Sequence, residues 1–207
     1  MKTIITIAIC LFTFTGVAQN QYEKGMQKAF ELWQENKPLE AANLFERIGN
    51  AESDKWLPYY YASQIYILQS FNEKDETALK AKLETALNFL NDAKTNSDNN
   101  PYVMTLEALY YTAWIAYDGQ KYGMKYAGKV TQLYEKAIAI SPENPIFILA
   151  KAEWEIGSAK YFGQPLDPYC KDIQRAIDLF ATFEPEGQFY PSYGAERAPE
   201  VLEMYCK

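Results

Sequence analysis

An all-α chain built as a row of helix hairpins is what this 207-residue sequence predicts, and three observations carry the prediction. Apolar residues recur three and four positions apart through nearly the whole chain, the spacing that places them on one stripe of an α-helix. Pro, Gly, Asn and Asp interrupt that pattern at short intervals and divide it into paired segments. Matching residues of the second segments then repeat along the chain: Phe45/Ile48, Leu90/Ala93, Tyr134/Ala137 and Ile173/Ala176, at intervals of 45, 44 and 39 positions. Periods of this size indicate repeats, each too poor in apolar surface to stand alone and stacked on its neighbours.

The first eighteen residues differ from the others. Lys2 gives a minimal basic start, Ile4 to Phe14 is apolar apart from Thr6 and Thr13, and Gly16-Val17-Ala18 supplies small residues where a signal peptidase reads. A signal peptide over 1–18, cleaved after Ala18, leaves a single domain at 19–207. Read as a membrane anchor, the run falls short of the ~20 residues that a bilayer span needs. Cys10 follows Ile9, where a lipoprotein would carry a small residue, so it belongs to the removed peptide.

From Gln21 to Gln34, Tyr22, Met26, Ala29, Phe30 and Trp33 mark a first helix, broken at Asn36-Lys37-Pro38. Ala41, Leu44, Phe45 and Ile48 mark the second, which ends at Gly49-Asn50. The next pair starts near Asp54, with Leu57, Tyr61, Ala62, Ile65 and Tyr66 on one helix and Leu79, Leu83, Ala86, Leu87 and Leu90 on the other. A third pair covers Pro101 to Tyr117 and about Lys121 to Ile140, and Asp118-Gly119-Gln120 with Gly123 predicts a loop or frayed start between them. The fourth runs from Pro145 through Trp154 and Ile156 to the loop Tyr161–Pro168, then from about Tyr169 through Ile173, Ala176, Ile177 and Phe180. Glu184-Pro185-Glu186-Gly187 ends it. A last short helix, Ala195 to Cys206, carries Val201, Leu202 and Tyr205, which can cover the end of the stack.

The stretch Val130 to Pro145, VTQLYEKAIAISPENP, carries the most specific pattern. Val130, Tyr134, small Ala137 and the stop at Pro142 resemble the second helix of a tetratricopeptide repeat, and Ala41, Phe45 and Ile48 repeat the pattern in the first unit. The resemblance covers about Tyr22 to Phe183. A standard unit is about 34 residues. The excess here lies between the helices of a pair, as longer inner turns or longer helices. The aromatic usual early in the first helix is replaced by Gly25 and Ile148. The ending, YFGQPLDP and then PSYGAERAPEVLEMYC, is similar to that of small exported tetratricopeptide-like proteins of Gram-negative Bacteroidota-type bacteria. The resemblance implies a right-handed superhelical stack of about four hairpins with a C-terminal capping helix.

Composition restricts the chemistry. Without Lys2, 19 basic residues face 27 acidic ones, a formal charge of −8. The basic stripe that phosphate-driven nucleic-acid binding needs is missing. Histidine is absent altogether, which removes the commonest general base, the Ser-His and Cys-His pairs and the usual zinc and iron ligands. There is no glycine-rich phosphate loop and no CxxC, and Asp92 to Asn100 lacks the glycine and terminal glutamate of a calcium loop. Glu153 and Glu155 flank Trp154 on different faces of a helix, which argues against a carboxylate dyad. The sequence therefore predicts a non-enzyme with no metal and no cofactor. Cys170 and Cys206 lie 36 positions apart, and in an exported chain they form either a disulfide or two buried thiols.

The aromatic excess is the positive signal: 17 Tyr and 4 Trp. In tetratricopeptide proteins the first helix of each pair lines the concave face. The resemblance thus implies a partner surface of Phe30, Trp33, Trp56, Tyr59, Ser63, Tyr66, Tyr102, Thr105 and Leu109, with rigid aromatics as anchors. Tyr161, Phe162 and Tyr169, on the loop of the fourth pair, form a second candidate surface. The expectation is a periplasmic or secreted scaffold that binds a protein or peptide on its concave face, with no nucleic acid and no membrane insertion after signal cleavage. A small solute or glycan stacked on the same aromatics is the alternative.

Overall fold

The computed structural model describes residues 21–206. The cleavage position, the apolar run before it and Cys10 lie outside the described residues. Among the described residues the regular structure is all helix: α1 (21–34), α2 (Pro38–Ala51), α3 (Trp56–Ser70), α4 (Glu76–Thr95), α5 (Pro101–Tyr117), α6 (Gly119–Ile140), α7 (Pro145–Tyr161), α8 (Asp167–Phe180) and α9 (Arg197–Tyr205).

Local chemistry sets these boundaries. Asp75, Asn100, Asp118 and Asn144 accept hydrogen bonds from the backbone of Ala78, Tyr102, Lys121 and Ile146, which satisfies otherwise orphaned donors of the first turns. Pro38, Pro101 and Pro145 open α2, α5 and α7, where a missing N–H removes no helical bond. Where the sequence predicts a loop or a frayed helix start, at Asp118-Gly119-Gln120 and Gly123, the helix begins at Gly119 and runs on unbroken. Asp118 caps it, and Tyr122 packs against Trp114 with ring centroids 4.9 Å apart, which together outweigh a glycine penalty of about 1 kcal/mol.

Consecutive helices form antiparallel hairpins, and the first helices α3, α5 and α7 also touch in series. Ala29, Ala62, Ala86, Ala93, Ala137, Ala152 and Ala176 are fully buried, and small side chains inside such a stack let helix backbones approach. One core joins the first three pairs, and Ile148, Ile156, Ile173 and Val201 form a second beneath the last pair and α9. The extra residues of the middle units lengthen helices, not turns: α4 and α6 have 20 and 22 residues, against 14 each in α2 and α8.

The segment 181–196, between α8 and α9, returns across the first helices of the earlier pairs and acts as a strap. The Phe189 ring stacks on Phe30 at 6.0 Å and meets Tyr22 edge-on, and its carbonyl accepts a 2.6 Å hydrogen bond from the Tyr61 hydroxyl. Phe189 holds φ +64, a left-handed value that a bulky residue keeps only when its surroundings over-determine it. Tyr190 packs on Trp56 and Tyr102, and the Tyr193 and Tyr60 hydroxyls pair at 3.0 Å. At the exit, Gly194 takes φ +109 with its α-carbon so close to Phe180 and Leu149 that a β-carbon would clash. A disulfide joins Cys170 of α8 to Cys206, just past α9, with the α-carbons 5.7 Å apart.

Candidate ligand-binding site

A cavity of about 1350 Å³ lies on the concave side. Helix periodicity selects its walls. On α1 Phe30 and Trp33 point in; on α3 Tyr61, Gln64 and Leu68; on α5 Thr105, Leu109 and Thr112, in each case one stripe at spacings of three and four. The lengthened front of α6 adds Gly119, Gly123 and Met124, and α7 adds Glu153, Trp154 and Gly157. Tyr161 and Phe162 stand at one edge, and Ser192 and Tyr193 of the strap close another.

Of the nine residues expected on the concave face, Phe30, Trp33, Thr105 and Leu109 line this cavity and five do not. Tyr59 lies on Gly49 of α2 with its hydroxyl 3.4 Å from Asn50. Ser63 donates to the Ala86 carbonyl of α4, and Tyr66 stacks on Phe89 of α4 at 6.0 Å. Trp56 and Tyr102 are covered by Tyr190 of the strap. α3 is buried on nearly every side, so hydrophobic periodicity does not show which stripe faces the groove. The wall from α6 escapes sequence reasoning because second helices normally face outward; the extra length of the third unit is the available signal.

Exposure marks the same place. The exposed large apolar side chains include Leu68, Met124, Tyr161, Phe162 and Tyr193, all on this cavity, with Met124 fully exposed and Phe162 68% exposed.

The polar groups of the wall are largely engaged within the protein. Thr105 donates to the Tyr102 carbonyl and Thr112 to that of Ala108. The Trp154 indole donates to Thr131 at 3.1 Å, Tyr61 to the strap, and Tyr193 is held by Tyr60 and Gln64. Tyr193 thus stays partly exposed while its hydroxyl is tied to the protein. Burial pushes the hydroxyls of Tyr61 and Tyr134 well up and that of Tyr193 up, so they stay neutral at physiological pH. Glu153 is the one lining carboxylate, with no lining Lys or Arg among the described residues, and Arg197 donates to it at 2.9 Å. Glu155 pairs with Lys151, and Glu107 with Lys94 at 2.9 Å.

No protein-family model and no curated protein matches the chain. Among solved structures it is similar to the HusA haemophore from Porphyromonas gingivalis, with a TM-score of 0.76 and 19% identity over 88% of this chain and 90% of that one. A thermophilic TPR protein from Thermus thermophilus aligns more loosely, at TM-score 0.43 and 16% identity over 88% and 94%. The fold is that of a TPR-like stack of helix hairpins, shared with a protein of Bacteroidota type. No described helix is long and apolar enough to cross a membrane.

Proposed function

We propose that this chain is an exported, non-catalytic binding protein whose concave cavity takes a large, flat, mostly apolar ring system of the tetrapyrrole class as cargo. The observation that carries the reading is the wall itself. It is wide, aromatic and nearly uncharged, and Thr105, Thr112, Tyr61, Tyr193 and the Trp154 indole already spend their donors within the protein, which leaves few polar groups, Gln120, Ser158 and Ser192 among them, for a ligand. A sugar buried there would find partners for only some of its hydroxyls, at a penalty of about 1–3 kcal/mol for each one left without. The faces of a flat ring system carry no hydroxyls to satisfy, and its few charged substituents lie on the ring's edge, where they can stay in water at the cavity mouth. The volume exceeds the about 300–1,000 Å³ common for pockets of drug-sized ligands. The similar solved structure is named a haemophore, which supports the same ligand class. Export rests on the N-terminal apolar run and on the disulfide, which persists in oxidising compartments.

Titration of the 19–207 protein with haemin and with iron-free protoporphyrin IX, followed by absorbance and tryptophan quenching, tests the reading. Saturable binding is expected, weakened when Trp33 or Trp154 is replaced by Ala. Absence of binding to both tetrapyrroles sinks it. A protein partner is the second reading, favoured by the exposed Met124, Tyr161 and Phe162 at the cavity edge. It gains support if a stoichiometric partner co-purifies from the native source while neither porphyrin binds.

A further inference from the structure

We infer that Gly123 and Gly157 are ligand-clearance positions, kept without side chains so that a flat ligand lies directly on the backbone of two cavity walls. The inference rests on the cavity reading above and names the residues that set the cavity's shape. Both glycines line the cavity, Gly123 from α6 and Gly157 from α7. A β-carbon built on either meets no protein atom within 4 Å, and neither has a positive φ. Neither packing nor backbone geometry therefore asks for glycine, although glycine in a helix interior is destabilising relative to Ala. What a side chain at these two places would enter is the cavity.

Other glycines of the fold show the contrast. At Gly119, which also lines the cavity, a β-carbon would come within 3.1 Å of the Tyr161 ring, and at Gly49 within 2.7 Å of the Tyr59 ring, so the protein itself explains both. Gly128 also stands in open space, on the same helix as Gly123, but it does not line the cavity. It provides an internal control. Close approach of backbone to a ligand is a recognised use of glycine, and here the approach is from two elements to one space already rich in aromatic faces. Aromatic Trp154 lies three residues before Gly157 on the same stripe of α7, and Met124 follows Gly123. A ring resting on the glycine backbone is then bordered by apolar side chains.

The test is a set of single substitutions, Gly123→Ala, Gly157→Ala and Gly128→Ala, with Gly123→Leu and Gly157→Leu as larger probes. Melting and protoporphyrin IX binding are measured for each. All three Ala variants are expected to melt about 1–4 °C higher, as the gain in helix propensity dictates. Protoporphyrin IX affinity should fall for Gly123→Ala and Gly157→Ala, by about tenfold or more for the Leu forms, the scale of overpacking a filled site. Gly128→Ala should bind as wild type. Unchanged binding by the Gly123 and Gly157 variants, in protein that binds the porphyrin, overturns the assignment and leaves the cavity reading standing. An equal loss in Gly128→Ala shows that helix stiffness is responsible and also overturns it. If the wild-type protein binds no porphyrin, the cavity reading fails and the assignment fails with it.

Discussion

Asn144 shows how much of the fold can hang on one side chain. Its Oδ1 caps α7 by accepting from the Ile146 N–H at 3.0 Å, and its Nδ2 donates to the Tyr102 hydroxyl at 2.9 Å. Both bonds are buried, and burial lifts the Tyr102 hydroxyl to about 12 even with this donor beside it. Asn144→Ala removes a cap and strands a buried hydroxyl, so a loss of about 1–3 kcal/mol in urea unfolding is expected; an unchanged midpoint would show that water replaces both bonds. Ala137 is the apolar counterpart. It is fully buried in the main core, and Ala137→Trp should destabilise by about 1–3 kcal/mol or more by wedging the helices apart. An unchanged melting temperature would mean that no close helix crossing exists there.

At the scale of elements, the sequence is most legible where local signals agree. Asn100-Pro101 and Asn144-Pro145 each combine a cap with a first-turn proline, and α5 runs over the predicted Pro101–Tyr117. The front of α6 reads as a loop or a frayed start because its glycines report propensity, whereas the helix is held by contacts distant in sequence. Glu76, at the start of α4, accepts from Lys121 at 2.6 Å and from the Tyr122 hydroxyl at 3.0 Å, and pairs with Lys80. These bonds, the one from Lys121 foremost, hold its carboxyl down at about 2, against an ordinary value of about 4.3. A lowered folded-state pKa contributes stability that is full above the unfolded value and fades as pH drops through the folded one. The melting gap between wild type and Glu76→Gln should therefore be open at pH 6 and shrink as pH falls from about 4.3 toward 2. A gap that stays constant across that range would refute the ionic account of this cross-link. The site is partly legible for a related reason. Phe30 and Trp33 sit on a stripe that the spacing of α1 marks, whereas α3 and α5 are both apolar and buried nearly all round; Thr105 and Leu109 are placed by the repeat resemblance, and the groove-facing stripe of Tyr61, Gln64 and Leu68 carries no separate signature.

Over the whole molecule the feature that no local pattern announces is the strap. Its bonds to α3 span 128 and 133 positions, and nothing in PEGQFYPSYG specifies a destination so far back in the chain. By covering Trp56 and Tyr102 it turns an open aromatic groove into a bounded cavity with Tyr193 in its wall. The Cys170–Cys206 bond closes a loop that contains the entire strap and α9. Cross-linking at a separation of 36 positions restricts the unfolded chain by about 2–4 kcal/mol in the loop-entropy account. Replacing both cysteines with Ser should lower stability by that amount. α9 keeps Ala198 and Val201 in the core and Arg197 on Glu153, so the helix should stay docked in the folded state. Hydrogen exchange can separate the two effects. If the bond acts on the unfolded chain, protection falls uniformly in the slowest-exchanging core amides and the strap changes little. Selective loss of protection in 181–196 and α9 would show instead that the bond holds the strap down in the folded protein, and that the cavity's Tyr193 wall depends on it.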